Sequence, residues 1–441
     1  AQSGVALYAG VRYAEPPLGG LRWRPPRPRS ASTGVVDAGA FAQACAQWLG
    51  GEAFGGEDCL ALNVWAPAQR GAGLPVLVFL HGGSFVKGTA DVNASATWGP
   101  LYDGASLAAR GSVVVTAQYR LGALGFLASE AMRSRDPRNS TGNYGLQDQR
   151  LALQWVQRHI GAFGGDPQRV LLFGQSAGGA SVMMHLASKA SRGLFSAAAV
   201  QSGYWGATRW ADAESAYQAL LVRTGCDDLS CLLRLPSSAL VGPSDWSSPV
   251  VDGVELEDLP ERLAERGALS SVPVVVGFNR DECSPTEVQE VHNETDFDMV
   301  VERAGIPADV RPVLKAEYSS QHTLWFWAAS RLRSDWGMGC AAWQFAQYAS
   351  AAGLPVFAYK FSRQPSFPVD RMVPGATAAS RALYGAYHGA ELPYVFGSPR
   401  IEAWHADQLP AERDLSEAIG GRWLELARRG VPGAGWPALN A

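Results

Sequence analysis

Residues 170–181 read VLLFGQSAGGAS and place Ser176 between Gly174 and Gly178, directly after four apolar residues. The apolar run predicts a strand and the residues from Gly179 predict a helix, so Ser176 would occupy a sharp turn that lifts its hydroxyl above the edge of a sheet. Glycine is expected at 174 and 178 because a Cβ there would collide with the neighbouring chain. Such a serine is typical of a nucleophile in acyl transfer, although a lone G-x-S-x-G pattern also occurs as an ordinary glycine-rich turn.

A serine hydroxyl becomes nucleophilic when a base takes its proton, and an acidic side chain must hold that base in one tautomer. Four histidines follow Ser176 at a distance, and they are His292, His322, His388 and His405. We predict His388 as the base, because YGAYHGAELPYVFG is a glycine-flanked loop between apolar segments. The sequences around the other three are typical of solvated histidines.

The acid is expected between the serine and the histidine in chain order. The apolar run VPVVVGF at 272–278 ends just before Asp281 and Glu282, and spacing alone does not choose between these two. The third requirement is an oxyanion hole, a set of N–H groups aimed at the charge of the tetrahedral intermediate. VFLHGGSFVKG at 78–88 is predicted to supply it, because a glycine-rich turn after a strand exposes consecutive amides.

Predicted strands and helices alternate along the chain around these residues. Buried strands are predicted for the apolar runs at 74–80, 112–119, 169–174, 197–203, 272–278 and 355–361. Helical periodicity is found at 143–163 and 178–188, and the proline-rich first thirty residues are predicted to be an extended surface segment. The predicted fold class is therefore α/β, with a mostly parallel central sheet and helices on both faces.

The two regions at about 204–270 and 284–350 have less regular patterns. We predict that they are insertions that cap the sheet, because substrate loops gather at the carboxyl ends of parallel strands. No convincing linker interrupts the 441 residues, so a single domain over 1–441 is predicted.

Composition argues against several classes of partner. The net charge is only -4 and there is no dense run of lysine or arginine, so nucleic acid and acidic membrane surfaces are poor candidates. No apolar stretch is long enough to span a bilayer, and the first residues lack the features of a signal peptide, as in a mature form. Arginine outnumbers lysine 33 to 4, which suggests a bacterial source, and a monomer is plausible.

Six cysteines indicate the compartment. Cys45 and Cys59 bracket a glycine-rich loop and Cys226 and Cys231 bracket a short aspartate-rich one, so we predict two disulfides and a secreted or periplasmic protein. Cys283 and Cys340 could equally be bridged or reduced, and reduced thiols throughout a cytosolic enzyme remain the alternative reading. No cysteine spacing matches a zinc site, so neither a metal nor a cofactor is predicted.

Long motifs follow one another in a known order, beginning with GVRYAEPPLGGLRWRPP, EDCLALNVWAP, HGGSF and QYRLGALGFL. They continue with GNYGLQDQRLALQWVQRHIGAFGGDPQRVLLFGQSAGGAS, QSG, GFNRDE and HGAELPYVFG. The chain thus resembles the type-B carboxylesterase and cholinesterase-like family of α/β-hydrolases over nearly its whole length. The resemblance implies a serine carboxylesterase that acts on small-molecule esters through an acyl-enzyme and needs no cofactor.

The resemblance also implies individual roles. It makes Ser176 the nucleophile, His388 the base and Glu282, rather than Asp281, the acid. The implied oxyanion donors are the amides of Gly83, Ser84 and Ala177, and Ser202 resembles a second serine that hydrogen-bonds near the triad. The pairs Cys45–Cys59 and Cys226–Cys231 match family disulfides, and Arg22 with Glu57 and Arg150 with Asp166 resemble family ion pairs.

Two departures from the family bear on the substrate. Ser84 stands where glycine is common, and Gln175 stands where cholinesterases carry a carboxylate, so recognition of a cationic alcohol is expected to be weak. The residues predicted to line the substrate pocket are Phe85, Gln175, Trp205 and Trp246. Amide, carbamate or aromatic polyester bonds are alternative targets of the same machinery, and a non-catalytic binding protein is a more distant alternative.

Overall fold

The computed structural model describes residues 4–30, 33–69, 71–90, 101–243, 248–284, 291–365, 383–397 and 410–439. The strands of this part are β1 Val5–Arg12, β2 Gln47–Leu49, β3 Glu52–Phe54, β4 Ala61–Pro67, β5 Leu74–Leu80, β6 Val113–Ala117, β7 Gly165–Gln175, β8 Ala197–Gln201, β9 Val274–Asn279 and β10 Val356–Phe361. Eight of them form one sheet in the order β1-β4-β6-β5-β7-β8-β9-β10, and β2 and β3 form a separate hairpin.

Helices connect and flank these strands. Before the capping regions they are α1 Ala105–Ala109, α2 Gly122–Phe126, α3 Glu130–Arg133, α4 Tyr144–His159 and α5 Ala177–Ala187. In and after those regions they are α6 Trp210–Thr224, α7 Leu229–Arg234, α8 Ser237–Leu240, α9 Pro260–Glu265, α10 Glu294–Arg303, α11 Arg311–Gln321, α12 Trp325–Ser334, α13 Cys340–Ala351, α14 Leu392–Phe396 and α15 Pro410–Arg429. Short 3-10 turns lie at Gly19–Leu21, Ile160–Phe163 and Lys189–Ser191, and a π-helical turn at Asp335–Gly339 joins α12 to α13.

The sheet is mostly parallel, as predicted. The run from β6 through β5, β7, β8 and β9 to β10 is parallel throughout, whereas β1 and β4 add an antiparallel edge. Alternate residues of β5 face opposite sides: Val76 and Val78 pack in the core that includes α4 and α5, and Leu77 packs in the core that includes α1, α14 and α15. Both faces of the sheet are therefore covered by helices, which explains why its strands are apolar without alternation.

The predicted strands agree closely with the observed ones. The run at 74–80 is β5 itself, and the other five runs overlap β6 to β10 with shifts of a few residues. The sequence interpretation missed β1 and β4 as strands. In β4 the buried Asn63 interrupts the apolar pattern because its side chain accepts from the Gly10 amide, at a register shift of β1, and donates to the Ala90 carbonyl.

The two capping regions are mainly helical. The region 204–270 carries α6 to α9, and α6 to α8 share a small core with α2 and the fully buried Trp23. Within 284–350 lie α10 to α13, and α10 to α12 enclose a core of their own around Phe297. The single-domain organisation stays a prediction.

Two disulfides are formed. Cys45–Cys59 encloses the β2–β3 hairpin and Cys226–Cys231 joins the end of α6 to α7. Cys283 and Cys340 are not bridged to each other, because Cys283 is buried in the turn after β9 whereas Cys340 is exposed at the start of α13.

The two predicted ion pairs had different outcomes. Arg22 and Glu57 form a buried pair at 2.6 Å. The pair of Arg150 with Asp166 was wrong: Arg150 contacts Glu255 in the first capping region, and Asp166 pairs with Arg169 three residues further along β7. The distant carboxylate of Glu255 could not be foreseen from the sequence around Arg150.

Candidate active site

Ser176 lies between the end of β7 at Gln175 and the start of α5 at Ala177. Its backbone is in the left-handed region, with φ 59° and ψ -123°. This conformation is costly for a residue with a side chain, and such strain is common at functional sites. The backbone on both sides fixes it: the Ser176 amide donates to the Gln201 carbonyl (2.9 Å), and the Ser176 carbonyl accepts from the Ala180 amide (2.8 Å).

The glycines of this turn are required by close backbone approach. A Cβ on Gly174 would lie 2.4 Å from the Gly178 carbonyl oxygen, and a Cβ on Gly178 would lie 2.0 Å from the Leu80 carbonyl oxygen. A Cβ on Gly179 would lie 2.7 Å from the Gln201 carbonyl oxygen. The turn therefore packs directly against β5 and β8, which is the close approach expected from the sequence.

His388 and Glu282 form the most direct contact of the site. The His388 Nδ1 atom lies 2.6 Å from Glu282 Oε2, and the Glu282 side chain is fully buried, whereas the imidazole is about a third exposed. The other carboxylate oxygen, Oε1, accepts from the Asn279 amide at 2.6 Å. With Nδ1–H donated to the carboxylate, the neutral imidazole presents Nε2 as a proton acceptor.

Asp281 makes different contacts from its neighbour. Its Oδ2 atom accepts from the Ala386 amide (2.7 Å), and the Asp281 amide in turn donates to the Ala386 carbonyl (3.0 Å). The guanidinium groups of Arg280 and Arg331 lie 3.1 and 2.5 Å from its carboxylate. Asp281 thus holds the loop that carries His388, while Glu282 contacts the imidazole itself.

Gln175 connects the imidazole to the serine turn. Its side-chain Nε2 atom lies 3.1 Å from His388 Nε2 and 3.5 Å from His388 Nδ1. Because Gln175 directly precedes Ser176, this contact places the imidazole beside the serine turn. The Gln175 side chain is buried there. Three segments that are far apart in the sequence, at 175–176, 282 and 388, therefore meet in one place.

The glycine-rich residues 81–88, predicted above to supply an oxyanion hole and called the oxyanion loop below for that reason, lie against the same turn. A Cβ on Gly82 would be 2.9 Å from Ser176 Cβ and 2.8 Å from the Gln175 carbonyl oxygen. Gly83, Ser84 and Phe85 have φ values of 117°, 55° and 62°, and the Gly83 carbonyl accepts from the amides of Val86 and Lys87. The Gly83 carbonyl is therefore turned into the loop.

His81 is the first residue of the oxyanion loop, and the sequence interpretation did not single it out. It is buried, its ring stacks on Tyr119 with a centroid separation of 4.4 Å, and its carbonyl accepts from the Tyr119 hydroxyl. Burial lowers the pKa of His81 to about 4, so the imidazole is neutral at ordinary pH.

Ser202 is fully buried after β8, with φ 49°, and its amide donates to the Gly277 carbonyl (2.8 Å). Its Oγ atom has no hydrogen-bond partner within the part of the chain that the structure describes. The hydrogen bond expected for this serine is therefore not made by a described protein group, although Ser202 directly follows Gln201, whose carbonyl accepts from the Ser176 amide.

Glu391 is a second buried carboxylate that the sequence interpretation missed. Its two oxygens accept from the side-chain amides of Gln201 (3.0 Å) and Asn279 (2.6 Å). Burial, and secondarily the charge of Glu282, raises the pKa of Glu391 to about 7. The available signal was its position three residues after His388, which brings it to the same turn.

The predicted pocket residues differ in accessibility. Phe85 is fully buried, with edge contacts to the rings of Phe126 and Tyr204, so it supports the oxyanion loop from behind. Trp205 is partly buried, and its Nε1 atom donates to Gln344 on α13. Trp246 lies outside the described residues.

The remaining histidines are placed differently. His292 is exposed and His322 is partly buried, and His405 lies outside the described residues. Within the described ranges, no three His, Cys, Asp or Glu side chains come together as metal ligands would.

A model of the carboxylesterase family matches residues 1–441. The chain belongs to the carboxylesterase family. Para-nitrobenzyl esterase of Bacillus subtilis (strain 168) is 32% identical to it over 478 residues, which cover 100% of this chain and 90% of that protein. Fumonisin B1 esterase of Sphingopyxis macrogoltabida is 33% identical over 471 residues, which cover 99% of this chain and 82% of that protein.

The molecule is accordingly an α/β-hydrolase and a carboxylic-ester hydrolase, which confirms the predicted fold class and enzyme class. No helix in the described part of this carboxylesterase is long and apolar enough to cross a membrane.

Proposed function

We propose that this carboxylesterase hydrolyses its esters through an acyl-enzyme on Ser176, with His388 as general base and acid and Glu282 as the orienting carboxylate. The observation that carries the proposal is the position of the His388 imidazole between the Glu282 carboxylate and the residue next to Ser176. The left-handed turn at Ser176 supports it, because this conformation presents the serine side chain away from the strand.

The first half-reaction transfers the acyl group to the serine. His388 Nε2 takes the Ser176 proton as Oγ attacks the ester carbonyl carbon, and the carbonyl π bond becomes an oxyanion. When the tetrahedral intermediate collapses, the bond to the alcohol breaks and the alcohol leaves with the proton from His388. Glu282 accepts the Nδ1 hydrogen bond throughout and stabilises the imidazolium.

Water completes the cycle. His388 deprotonates a water molecule that attacks the acyl-enzyme carbonyl, and collapse of the second tetrahedral intermediate returns the proton to Ser176 Oγ and frees the carboxylic acid. The oxyanion is assigned to the amides of Gly83, Ser84 and Ala177. The contact of Gly82 with Ser176 supports this assignment, since it brings the oxyanion loop against the nucleophile.

The substrates we propose are small carboxylic esters with an uncharged alcohol. The neutral carboxamide of Gln175 beside the base supports this class, because a cationic alcohol would find no carboxylate there. The two relatives are named for different esters, a para-nitrobenzyl ester and fumonisin B1.

We also propose that the protein is secreted or periplasmic. The two disulfides support export, because such bonds form and persist in oxidising compartments.

Replacement of Ser176 tests the mechanism. We expect Ser176→Ala to lower turnover of p-nitrophenyl butyrate by about a thousandfold or more and to abolish labelling by a fluorophosphonate probe. Thermal stability should change little, because the hydroxyl is not needed for the backbone contacts of the turn. Ser215→Ala, an exposed serine on α6, is the matched control and should keep full activity and labelling.

Full labelling of Ser176→Ala would contradict the proposed nucleophile. An unlabelled wild-type protein that also fails to turn over esters would instead support a binding function on this fold.

A further inference from the structure

The carboxamide of Gln175 covers one face of the His388 imidazole. Its Nε2 atom is nearly equidistant from the two ring nitrogens, at 3.1 and 3.5 Å. A donor in the ring plane, along the lone pair of Nε2, would be much farther from Nδ1 on the other side of the ring. The amide nitrogen therefore lies over the ring face, and the in-plane lone pair of Nε2 is not taken by Gln175.

The position of this carboxamide is fixed by the fold. Gln175 is the last residue of β7, where it pairs with Gln201 of β8, and its side chain is almost fully buried. Its Oε1 atom would be 3.0 Å from a Cβ on Gly82, so the oxyanion loop packs against the other side of the amide. The amide is thus held between the oxyanion loop and the imidazole.

We propose that Gln175 is a positioning residue for the general base: its neutral carboxamide supports one face of the His388 ring and keeps that face free of negative charge. This inference rests on the proposed function of His388. It adds a role for Gln175, the residue before the proposed nucleophile, to the proposed function of His388.

The charges around the imidazole explain why neutrality at this position matters. Glu282 contacts Nδ1, and the buried Glu391, which follows on the same loop, also interacts with His388 by its charge. On the side of the oxyanion loop, His81 is neutral at ordinary pH. The Glu282 carboxylate already lies against the ring, and an added carboxylate at position 175 would make the base harder to deprotonate near neutral pH, where a general base must be unprotonated to act.

The inference predicts a shift in pH dependence. In Gln175→Glu, the acid limb of the kcat/KM profile of a neutral ester should move to higher pH by about one unit, because an added carboxylate near the ring stabilises the imidazolium. Gln175→Met, which keeps the shape and removes the dipole, should move the limb upward by less. A role in packing alone would change kcat/KM by the same factor at every pH.

The matched control is Gln168→Glu, which adds the same charge on the same strand. Gln168 is exposed and lies seven residues before Gln175 on β7, on the other side of a register shift in the pairing with β5. Its acid limb should coincide with that of the wild type. An acid limb in Gln175→Glu that also coincides with the wild type, in a protein with wild-type melting temperature, would overturn the inference.

A second readout does not depend on turnover. The titration midpoint of His388 can be followed by NMR in protein labelled at histidine Cε1, with the resonance assigned from a His388→Gln variant. We expect the midpoint to rise in Gln175→Glu and to stay in Gln168→Glu. A rise without any esterase activity in the wild type would support the positioning role and contradict the proposed function, whereas an unchanged midpoint in an active enzyme would contradict the positioning role alone.

Discussion

At the scale of single residues, the two adjacent carboxylates that follow β9 make different contacts. Glu282 contacts the His388 ring, whereas Asp281 contacts the Ala386 amide and the guanidinium groups of Arg280 and Arg331. Both side chains are fully buried. The sequence spacing left the choice between them open, and the direction in which each side chain leaves the turn after β9 separates them.

Amide substitutions at these two positions should therefore affect different properties: activity at Glu282 and stability at Asp281. In Glu282→Gln, kcat should fall by about a thousandfold, because an amide no longer holds the imidazole in the required tautomer or stabilises its charge, while stability changes little. In Asp281→Asn, the free energy of unfolding should fall by about 2–4 kcal/mol, because two arginines lose a buried charged partner. Ester kinetics and urea unfolding of both variants measure the contrast. A stable, fully active Glu282→Gln would contradict the assigned acid.

At the scale of elements, the turn from β7 to α5 combines two kinds of signal. The local one is the apolar strand, the serine and the glycines, which the sequence carries openly and from which the turn was predicted. The non-local one is the contact of that turn with β5 and β8, through the carbonyls of Leu80 and Gln201. The local sequence pattern shows that glycine is needed in this turn. The neighbouring backbone atoms that exclude a Cβ are known only from the assembled sheet.

Gly178 offers the sharpest test of this contact. In Gly178→Ala, the new Cβ would lie 2.0 Å from the Leu80 carbonyl oxygen and 2.9 Å from the His81 carbonyl oxygen. The backbone must then shift, so we expect a loss of about 2–4 kcal/mol in unfolding free energy and a loss of activity as the oxyanion loop moves. Gly161→Ala, where a Cβ meets open space, should stay within about 0.5 kcal/mol of the wild type in the same urea titration. Equal stability of the two variants would show that the turn is not tightly packed.

The same distinction explains which elements could be predicted. Strands β5, β6, β8, β9 and the second half of β7 are almost fully buried on both faces, so each is visible as an apolar run. The edge strand β10 is visible from its apolar residues although Lys360 is exposed, and α4 and α5 are visible from helical periodicity. The edge strand β1 is only partly buried, and β4 contains Asn63, whose partners come from β1 and from Ala90. Their strand character depends on pairing that a local pattern does not contain.

At the scale of the whole molecule, the features that sequence reasoning could not supply are long-range contacts. Arg150 reaches Glu255 in the first capping region, and Gln201 and Asn279, on different strands, hold Glu391 of the loop that carries His388. The two disulfides could be predicted from spacing, because each closes a short loop. The sequence places Glu391 near His388, but its two partners, Gln201 and Asn279, are known only from the assembled sheet.

The two disulfides should differ in their effect on the site. Cys45–Cys59 spans 14 residues and Cys226–Cys231 spans 5, so loss of each should cost about 3 and about 2 kcal/mol of unfolding free energy by loop entropy. Within the described residues, the first is linked to the candidate active site by a chain of contacts. Gln47, within its loop, exchanges two hydrogen bonds of 2.9 Å with Gly88, and Gly88 packs against the Gly82 carbonyl.

We therefore expect replacement of Cys45 and Cys59 by serine to lower kcat for a neutral ester several-fold, with less change in KM, because the oxyanion loop loses a support that matters most when charge develops on the oxyanion. The matched double variant at Cys226 and Cys231 should keep wild-type kcat while showing its own smaller loss in unfolding free energy. Steady-state kinetics and urea unfolding at one temperature separate the two effects. If both double variants lost kcat to the same degree, the link from the β2–β3 hairpin through Gln47 to the oxyanion loop would be refuted, since general destabilisation would then explain the result.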